Sequence, residues 1–215
     1  MRAILKDGLM VLVPEGAGEA AELSAWQARH TGHVLHVKLQ SEEAAAALEL
    51  WSLGPREEAC REPINIVSSS PDPMARLIGN FGAAPFYLDG ETYRTVESFW
   101  QGLKFAELED RRRLAMLDGR EAWAAGSAKG YGATVCYAGK DIVVGTWAHW
   151  QLMERACRAK FEQSAEARDA LLATGGRPLT HILPSDSKSI PGAIMAEIWM
   201  RIRRALQHQA TPPAP

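Results

Sequence analysis

The clearest periodic pattern of apolar and polar positions lies near the middle of the chain. Apolar residues recur there with the i, i+3, i+4 and i+7 spacing of one helix face: Val96, Phe99, Trp100 and Leu103. Thr95 precedes this run and predicts the N-cap, because a threonine hydroxyl accepts a hydrogen bond from an unpaired amide of the first turn. The dipeptide Asp89-Gly90 upstream is a tight-turn signal. The pattern therefore predicts a turn that leads into a helix with one buried face.

The pattern of the second part of the chain is mostly helical, with a few short strands. Helices are predicted over these ranges: 109–119, 120–126, 147–163, 165–174 and 192–206. Short strands and one hairpin are also predicted: 64–67, 179–183 and 133–144. We therefore expect an α+β fold class, with a mostly helical domain over residues 61–208 and a disordered tail over 209–215.

The first 60 residues form a separate unit in this interpretation. Strands are predicted at 2–5, 9–13 and 33–39, with helices at 17–30 and from Ser41 to Trp51. This order predicts a small ββαβα unit, joined to the rest by a polar segment at 55–62. Three histidines lie in the unit, but no carboxylate accompanies them at a ligand spacing, so a metal role is disfavoured: His30, His33 and His36.

Composition narrows the class of protein further. The chain has 215 residues, of which 47% are hydrophobic, so it can bury a core. Its formal net charge of −2 gives no basic field that would draw it to nucleic acid or to a membrane surface. Its three cysteines lack the spacing of a zinc site and suit reduced thiols, and the apolar run 9–13 is too short for an export signal or a membrane span. We expect a soluble, cytoplasmic protein.

A polar row accompanies the apolar face of the central helix. Glu97, Gln101 and Lys104 share helical spacing and place a carboxylate, an amide and an ammonium group beside a very apolar stripe. One interpretation is a solvated face, because a carboxylate in the first turn is favoured by the helix dipole. The other interpretation is a binding or catalytic site.

Four ordered blocks of the chain resemble the NADAR superfamily, the YbiA-like N-glycosidases. The first is the helix pattern Glu97-x-x-x-Gln101-x-x-Lys104-Phe105, and upstream the dipeptide Asn80-Phe81 resembles the loop of that family. Residues 153–163 resemble its long helix, and residues 171–175 resemble the helix end and turn that follow. Asp186 lies where the family has an aspartate. The resemblance extends over about residues 64–206.

The resemblance implies an N-glycoside hydrolase that cleaves a ribose C–N bond. Glu97 is the expected key carboxylate, because a carboxylate beneath the anomeric carbon stabilises an oxocarbenium-like transition state. Asp186 is the expected second acid, which protonates the leaving nitrogen or holds ribose hydroxyls. Trp147 is the expected functional tryptophan at the start of the long helix, stacking on a flat base. His149, in the first turn of that helix, is expected at the surface.

The remaining site residues are expected to bind the substrate. Gln101 and Asn80 would fix amide or hydroxyl edges and Lys104 would bind a phosphate, with Phe81 beside Asn80 in the loop. For Asn80 the alternative is that it only braces its loop. No metal and no cofactor are expected.

Two substrate classes follow from the resemblance. One is the ribosylaminopyrimidine intermediates of riboflavin synthesis, and the other is ADP-ribose on a guanine base, which would include ADP-ribosylated nucleic acid. The sequence departs from the family after the aspartate, where Ser189-Ile190 and Ala193 replace the usual Trp-Gly and Gly-x-Asn. A catalytically silent ADP-ribose or nucleotide-binding module is therefore the alternative function. A scaffold that works through the N-terminal unit is a third possibility, and the oligomeric state does not follow from the sequence.

Overall fold

The computed structural model describes residues 1–6, 9–31, 33–42, 45–55 and 62–210. The chain divides into two units, Met1–Arg61 and Glu62–Pro215. The predicted polar joint lies outside the described residues from 56 to 61, and the predicted tail lies outside them from 211 onward. Within the described ranges, no helix combines the length and the apolar character needed to cross a membrane.

The described residues of the N-terminal unit form two antiparallel strand pairs and one helix. Its elements in chain order are β1 Arg2–Lys6, β2 Leu9–Val13, α1 Ala17–His30, β3 His33–Glu42 and β4 Ala45–Pro55. Strand β1 pairs with β2, with Ala3 opposite Leu12, and strand β3 pairs with β4, with Val37 opposite Leu50. The strand pair at the beginning, the helix and the third strand were all predicted from the sequence.

The predicted helix from Ser41 to Trp51 is wrong, because β4 occupies this segment as a strand. The alanine run has a high helix propensity, which favoured the helical interpretation. However, leucines alternate with other residues over 48–51, and the register places Leu48 opposite Leu39. From Leu35 to Glu42, β3 pairs with β4 in an unbroken register, and this tertiary pairing overrides local propensity. Over residues 1–55, where the structure describes them, the order is therefore ββαββ.

The second unit is mostly helical. Its helices are α2 Pro73–Ile78, α3 Val96–Gly102, α4 Leu108–Ala115, α5 Gly119–Lys129, α6 Trp147–Gln163, α7 Ala165–Ala173 and α8 Gly192–Ala210. Its strands are β5 Ile64–Asn65, β6 Phe86–Leu88, β7 Glu91–Tyr93, β8 Thr134–Tyr137, β9 Lys140–Val143 and β10 Leu179–Thr180. These elements confirm the α+β class. Helix α2 was not predicted, and α8 extends beyond the predicted end at residue 206.

Helix α3 lies at the centre of the core. Every residue from Val96 to Gly102 is buried, and Phe99 is only 2% exposed. Thr95 is the N-cap, as predicted: its Oγ1 accepts a hydrogen bond from the Ser98 amide at 3.0 Å, and its own amide donates to Ser98 Oγ at 3.1 Å. This reciprocal capping box fixes the first turn of a helix that is too short to be stable alone.

A parallel strand pair joins two distant parts of the chain. Strand β10 pairs with β5, with Leu179 opposite Ile64, and the Ile66 amide donates to the Thr180 carbonyl at 2.9 Å. Next to this pair, His181 Nδ1 hydrogen-bonds the Ile66 carbonyl at 2.6 Å. The pairing therefore places the loop after β10 beside the loop after β5.

A buried lysine holds the end of helix α2. Lys160 of α6 is fully buried, and its Nζ donates to the carbonyls of Leu77, Ile78 and Gly79 at 2.6, 3.2 and 2.8 Å. These carbonyls lie at the end of the helix, where no intrahelical donor is available. The ammonium group thus fixes the chain directly before Asn80.

The end of helix α6 covers one edge of the β6–β7 hairpin. The side-chain amide of Gln163 accepts a hydrogen bond from the Tyr87 amide and donates one to the Tyr87 carbonyl, both at 2.8 Å. Strand β7 pairs with the other edge of β6, with Tyr87 opposite Thr92. Tyr87 therefore has neighbours on both sides of its strand.

Candidate functional site

A cavity of about 660 Å³ opens beside helix α3. Its wall includes parts of α3 and α5, the loop that follows α2, and the loops that follow β5 and β10. All five of the residues predicted for the carboxylate and the substrate contacts near α3 line it: Asn80, Phe81, Glu97, Gln101 and Lys104. The polar row of α3 therefore faces a cavity and is not a solvated face.

Glu97 is a buried carboxyl group at the wall of this cavity. It is 6% exposed, and Gln101 Nε2 donates a hydrogen bond of 2.6 Å to its Oε1. Burial raises the pKa of Glu97 to about 7, while the Gln101 hydrogen bond and the charge of Lys104 act in the opposite direction. The group therefore titrates near neutral pH, as catalytic carboxyls do.

Two amide oxygens beside the carboxyl have no hydrogen-bond partner among the described residues. They are the Oε1 of Gln101 and the Oδ1 of Asn80, both buried. The Asn80 amide nitrogen contacts only the Met195 sulfur, at 3.8 Å, while the Asn80 backbone carbonyl accepts from the Glu97 amide at 3.0 Å. A buried acceptor without a partner is costly, so these oxygens favour a ligand-binding role over simple bracing of the loop.

Two glycines of α5 allow this close packing around α3. At Gly126 a Cβ atom would overlap the side-chain amide of Gln101, and at Gly119 it would overlap Phe81. Only glycine lets the helix backbone approach so closely. Helix α5 therefore holds Gln101 and Phe81 in place through its backbone.

Lys104 lies near Glu97 and contacts an aromatic cluster formed by Trp100, Tyr131 and His149. Its Nζ donates to the Gly126 carbonyl at 2.8 Å and lies 4.5 Å from the centroid of the Tyr131 ring. Partial burial lowers the pKa of Lys104, and Glu97 partly offsets this. The ammonium group is thus held near Glu97 by a carbonyl and a cation–π contact.

His149 belongs to that aromatic cluster, and its predicted surface position is wrong. It is fully buried and stacks on Trp100, with ring centroids 4.2 Å apart. Burial lowers the pKa of His149 to about 4, and its Nδ1 accepts a hydrogen bond from the Gly145 amide at 3.2 Å. The ring is therefore neutral at pH 7 and packs behind the wall that Trp100 provides.

Asp186 and Trp147 lie away from the wall of the cavity. Asp186 is exposed, and its Oδ1 accepts hydrogen bonds from the Ser187 amide at 2.9 Å and the Gly192 amide at 2.8 Å. Trp147 is 41% exposed, with the Arg201 guanidinium 5.5 Å from its ring centroid. Serines on both sides of Asp186 do line the cavity, so the aspartate orders a loop that contributes to the site. The roles predicted for Asp186 and Trp147 stay predictions.

Sequence reasoning missed several aromatic residues of the wall, among them Trp123 and His181. Trp123 of α5 is 52% exposed at the cavity, beside Arg120 and Ser127. The sequence did offer one signal for Trp123, because it is a single large aromatic residue in a helix of mostly small residues. His181 reaches the cavity only because β10 pairs with β5, and no local pattern indicates that pairing.

Comparison with known proteins places this architecture in a family. The family described as Bacteriophage protein GP30.3 matches residues 73–198. The N-glycosidase YbiA of Escherichia coli (strain K12) is 31% identical over 129 residues, which cover 58% of this chain and 72% of that protein. The chain belongs to the YbiA-like N-glycosidases of the NADAR superfamily. An uncharacterized 17.1 kDa protein of Enterobacteria phage T4 is 31% identical over 111 residues, 50% of this chain and 73% of its own length.

A solved structure from the YbiA-like N-glycosidases supports the same assignment. The NMR structure of E. coli YbiA matches with a TM-score of 0.52 and 26% sequence identity, covering 72% of this chain and 91% of that chain. The predicted family and the predicted enzyme class, a glycosidase, are thereby confirmed. The matched range 73–198 includes every residue predicted for the site, from Asn80 to Asp186.

Proposed function

We propose that this member of the YbiA-like N-glycosidases hydrolyses the ribose C–N bond of a nucleotide-like substrate, with Glu97 as the key carboxylate. The observation that carries the proposal is the buried Glu97 carboxyl at the wall of the 660 Å³ cavity, oriented by Gln101. Such a cavity is large enough for a nucleotide-sized ligand.

The chemistry of N-riboside hydrolysis suits a carboxylate in this position. As the C–N bond breaks, positive charge develops on C1 and O4 of the ribose, and a nearby carboxylate stabilises it or orients the attacking water. The water oxygen becomes bonded to C1, and its proton is transferred to the leaving nitrogen. Because the ionised form of Glu97 is needed and its pKa is about 7, we expect kcat to increase with pH through this value.

Other residues of the wall supply contacts for the rest of a nucleotide. Asn80 lines the cavity, and rotation of its side chain would let its amide oxygen, which has no partner among the described residues, accept a hydrogen bond from a ribose hydroxyl or from a base. Arg120 and Lys104 are cations of the lining that can bind phosphate oxygens. Trp123 presents an exposed ring on which a base can stack.

The substrate belongs, in this proposal, to one of two classes. These are ribosylaminopyrimidine intermediates of riboflavin synthesis and ADP-ribose attached to a guanine base. Mass spectrometry of the products from a panel containing both classes distinguishes them, since the released base differs. We expect wild-type protein to release either a free pyrimidine and ribose phosphate from the first class or ADP-ribose and an unmodified guanine from the second. The Glu97→Ala variant should release neither while it retains the wild-type fold by circular dichroism.

The alternative function is a nucleotide-binding module without turnover. Two observations favour it: Ser189-Ile190 replaces the Trp-Gly usual in the family, and Asp186 is exposed. Calorimetric titration of the same panel separates the two functions. Binding by the wild type and by Glu97→Ala with no product from either would contradict hydrolysis and support the module.

A further inference from the structure

A second cavity, of about 420 Å³, lies against a different face of helix α3. We propose that it binds a small planar aromatic group that carries a negative charge. Phe99 and Gly102 of α3, with Leu103 directly after it, contribute to its wall, whereas Glu97 and Gln101 line the first cavity. The two cavities share no lining residue, so this proposal goes beyond the proposed hydrolysis and does not depend on it.

Aromatic rings form one wall of the second cavity. Phe99 contacts Tyr93 and Tyr137 edge-to-face, with ring centroids 5.1 and 5.8 Å apart. Burial raises the pKa of both tyrosines, so their phenols stay neutral at pH 7 and do not repel an anion. Edge and face contacts with such rings favour a flat aromatic ligand.

A buried glycine marks the free space inside this cavity. Gly102 is buried, yet a Cβ atom built there would meet no heavy atom within 4 Å beyond its two chain neighbours and the backbone of its own helix. In a close-packed interior a buried position normally has neighbours at van der Waals distance. The space next to Gly102 is therefore room for a ligand and not a packing surface for another element.

Arginine charge exceeds carboxylate charge around the cavity. Arg112 pairs with Glu91 at 2.8 Å and Arg155 pairs with Asp89 at 2.7 Å, so these four charges are balanced. Arg111 differs, because its Nε and Nη2 donate to backbone carbonyls, at 2.6 and 2.7 Å. These bonds orient the guanidinium but leave its charge unneutralised, and a ligand carboxylate or phosphate can neutralise it.

The test uses 2-naphthoate as the probe and the uncharged 2-naphthamide as its matched control. Heteronuclear NMR of the full chain should show 2-naphthoate shifting the amides of Gly102 and Ala138, which line the second cavity. We expect 2-naphthamide to bind at least about tenfold more weakly. Equal binding of both probes, or shifts confined to Trp123 and Ser127 of the first cavity, would overturn the proposal.

Two kinds of variant test the same site independently. Gly102→Leu should fill the cavity and weaken 2-naphthoate binding by at least about tenfold, with Gly102→Ala showing a smaller loss. Arg111→Met should weaken it similarly, whereas Arg113→Met, on the same helix but paired only with Asp110, should leave affinity unchanged. Wild-type affinity in Gly102→Leu would overturn the proposal, even if Arg111→Met fails to fold.

Discussion

Two acidic residues were predicted to carry the chemistry, and they lie in contrasting parts of the molecule. Glu97 belongs to a helix whose every residue is buried, and it is itself 6% exposed. Asp186 belongs to an exposed loop. Gln101 orients the Glu97 carboxyl through a side-chain hydrogen bond, whereas the backbone amides of Ser187 and of Gly192, the first residue of α8, both bond to one oxygen of Asp186.

This contrast shows how burial changes the chemistry of a carboxyl group. Removal from water raises the pKa of Glu97 into the neutral range, where a carboxyl can change its charge under physiological conditions. The Asp186 carboxyl instead acts like a cap, because it satisfies amides that the turn before α8 leaves unpaired. The same functional group therefore has a pKa near neutrality in one region and accepts hydrogen bonds from backbone amides in the other.

The largest expected difference between the two carboxyl groups is in how much their replacement slows hydrolysis. Glu97→Gln preserves volume and removes the charge, so we expect kcat to fall by about 10³-fold or more. Asp186→Asn retains one carbonyl oxygen for the amides of Ser187 and Gly192, so we expect a loss below about tenfold. Single-turnover rates on the substrate found in the panel measure both. A loss of about 10³-fold in Asp186→Asn would restore this residue to the role of second acid.

The second expected effect is on the pH dependence of stability, and it comes from the buried Glu97 carboxyl. The pKa of Glu97 rises from 4.5 in the unfolded chain to about 7 in the fold, so the native state binds its proton more tightly. The free energy of unfolding therefore falls as pH rises between these values, by about 3 kcal/mol for this group.

Replacing Glu97 by glutamine removes that contribution. Glu97→Gln should be more stable than the wild type above pH 7 by up to about 3 kcal/mol, and nearly equal to it near pH 4.5. Urea unfolding at both pH values measures the difference. An offset that is the same at both pH values would show that Glu97 does not titrate as proposed.

The third difference is in stability, and it concerns one hydroxyl near each carboxyl group: Thr95 before α3 and Ser187 next to Asp186. Thr95→Val keeps the shape of a fully buried side chain but removes the cap of α3, so we expect a loss of about 1–2 kcal/mol. Ser187→Ala removes a partly exposed hydroxyl that accepts a long hydrogen bond of 3.3 Å from the Ile190 amide and makes one of 3.0 Å with the Ser189 hydroxyl, so we expect a loss of less than about 1 kcal/mol. Thermal unfolding of both variants tests the ranking, and the reverse order would contradict it.

The smallest expected difference separates two exposed tryptophans. Trp123→Leu should remove about 1 kcal/mol of stacking energy with the base. We therefore expect KM to rise several-fold, with little change in kcat. Trp147→Leu should leave both constants unchanged, because the Trp147 ring contacts Arg201 and does not line the cavity. If Trp147→Leu alone raised KM, the tryptophan predicted from the family resemblance would be the stacking residue.

The parts of the fold that local sequence dictates were predictable. The apolar spacing from Val96 to Leu103 and the Thr95 hydroxyl were enough to predict helix α3 and its cap. Helix α6 has the predicted bounds, Trp147–Gln163, because its apolar stripe is long and regular. The polar row of Glu97, Gln101 and Lys104 was identified by its spacing, although spacing alone did not distinguish a site from a solvated face.

The remaining features depend on contacts between distant residues. His181 and Ile66 meet through a parallel pairing of two-residue strands, which are too short to leave a periodic signal. Burial of His149 depends on stacking against Trp100, and a polar residue in the first turn of a helix normally suggests a surface position. The structure of β4 also depends on a contact with another part of the chain, because pairing with β3, and not the helix propensity of its alanines, determined it.

The bidentate contact between Gln163 and Tyr87 has a consequence for self-association. An exposed strand edge carries unpaired backbone N–H and C=O groups. A second polypeptide can pair with these groups, and such pairing is a common start of aggregation. Here a single carboxamide imitates one residue of an adjoining strand and occupies both groups of Tyr87. Glutamine at position 163 therefore blocks β6 from templating intermolecular sheet growth, at the cost of only one ordered side chain.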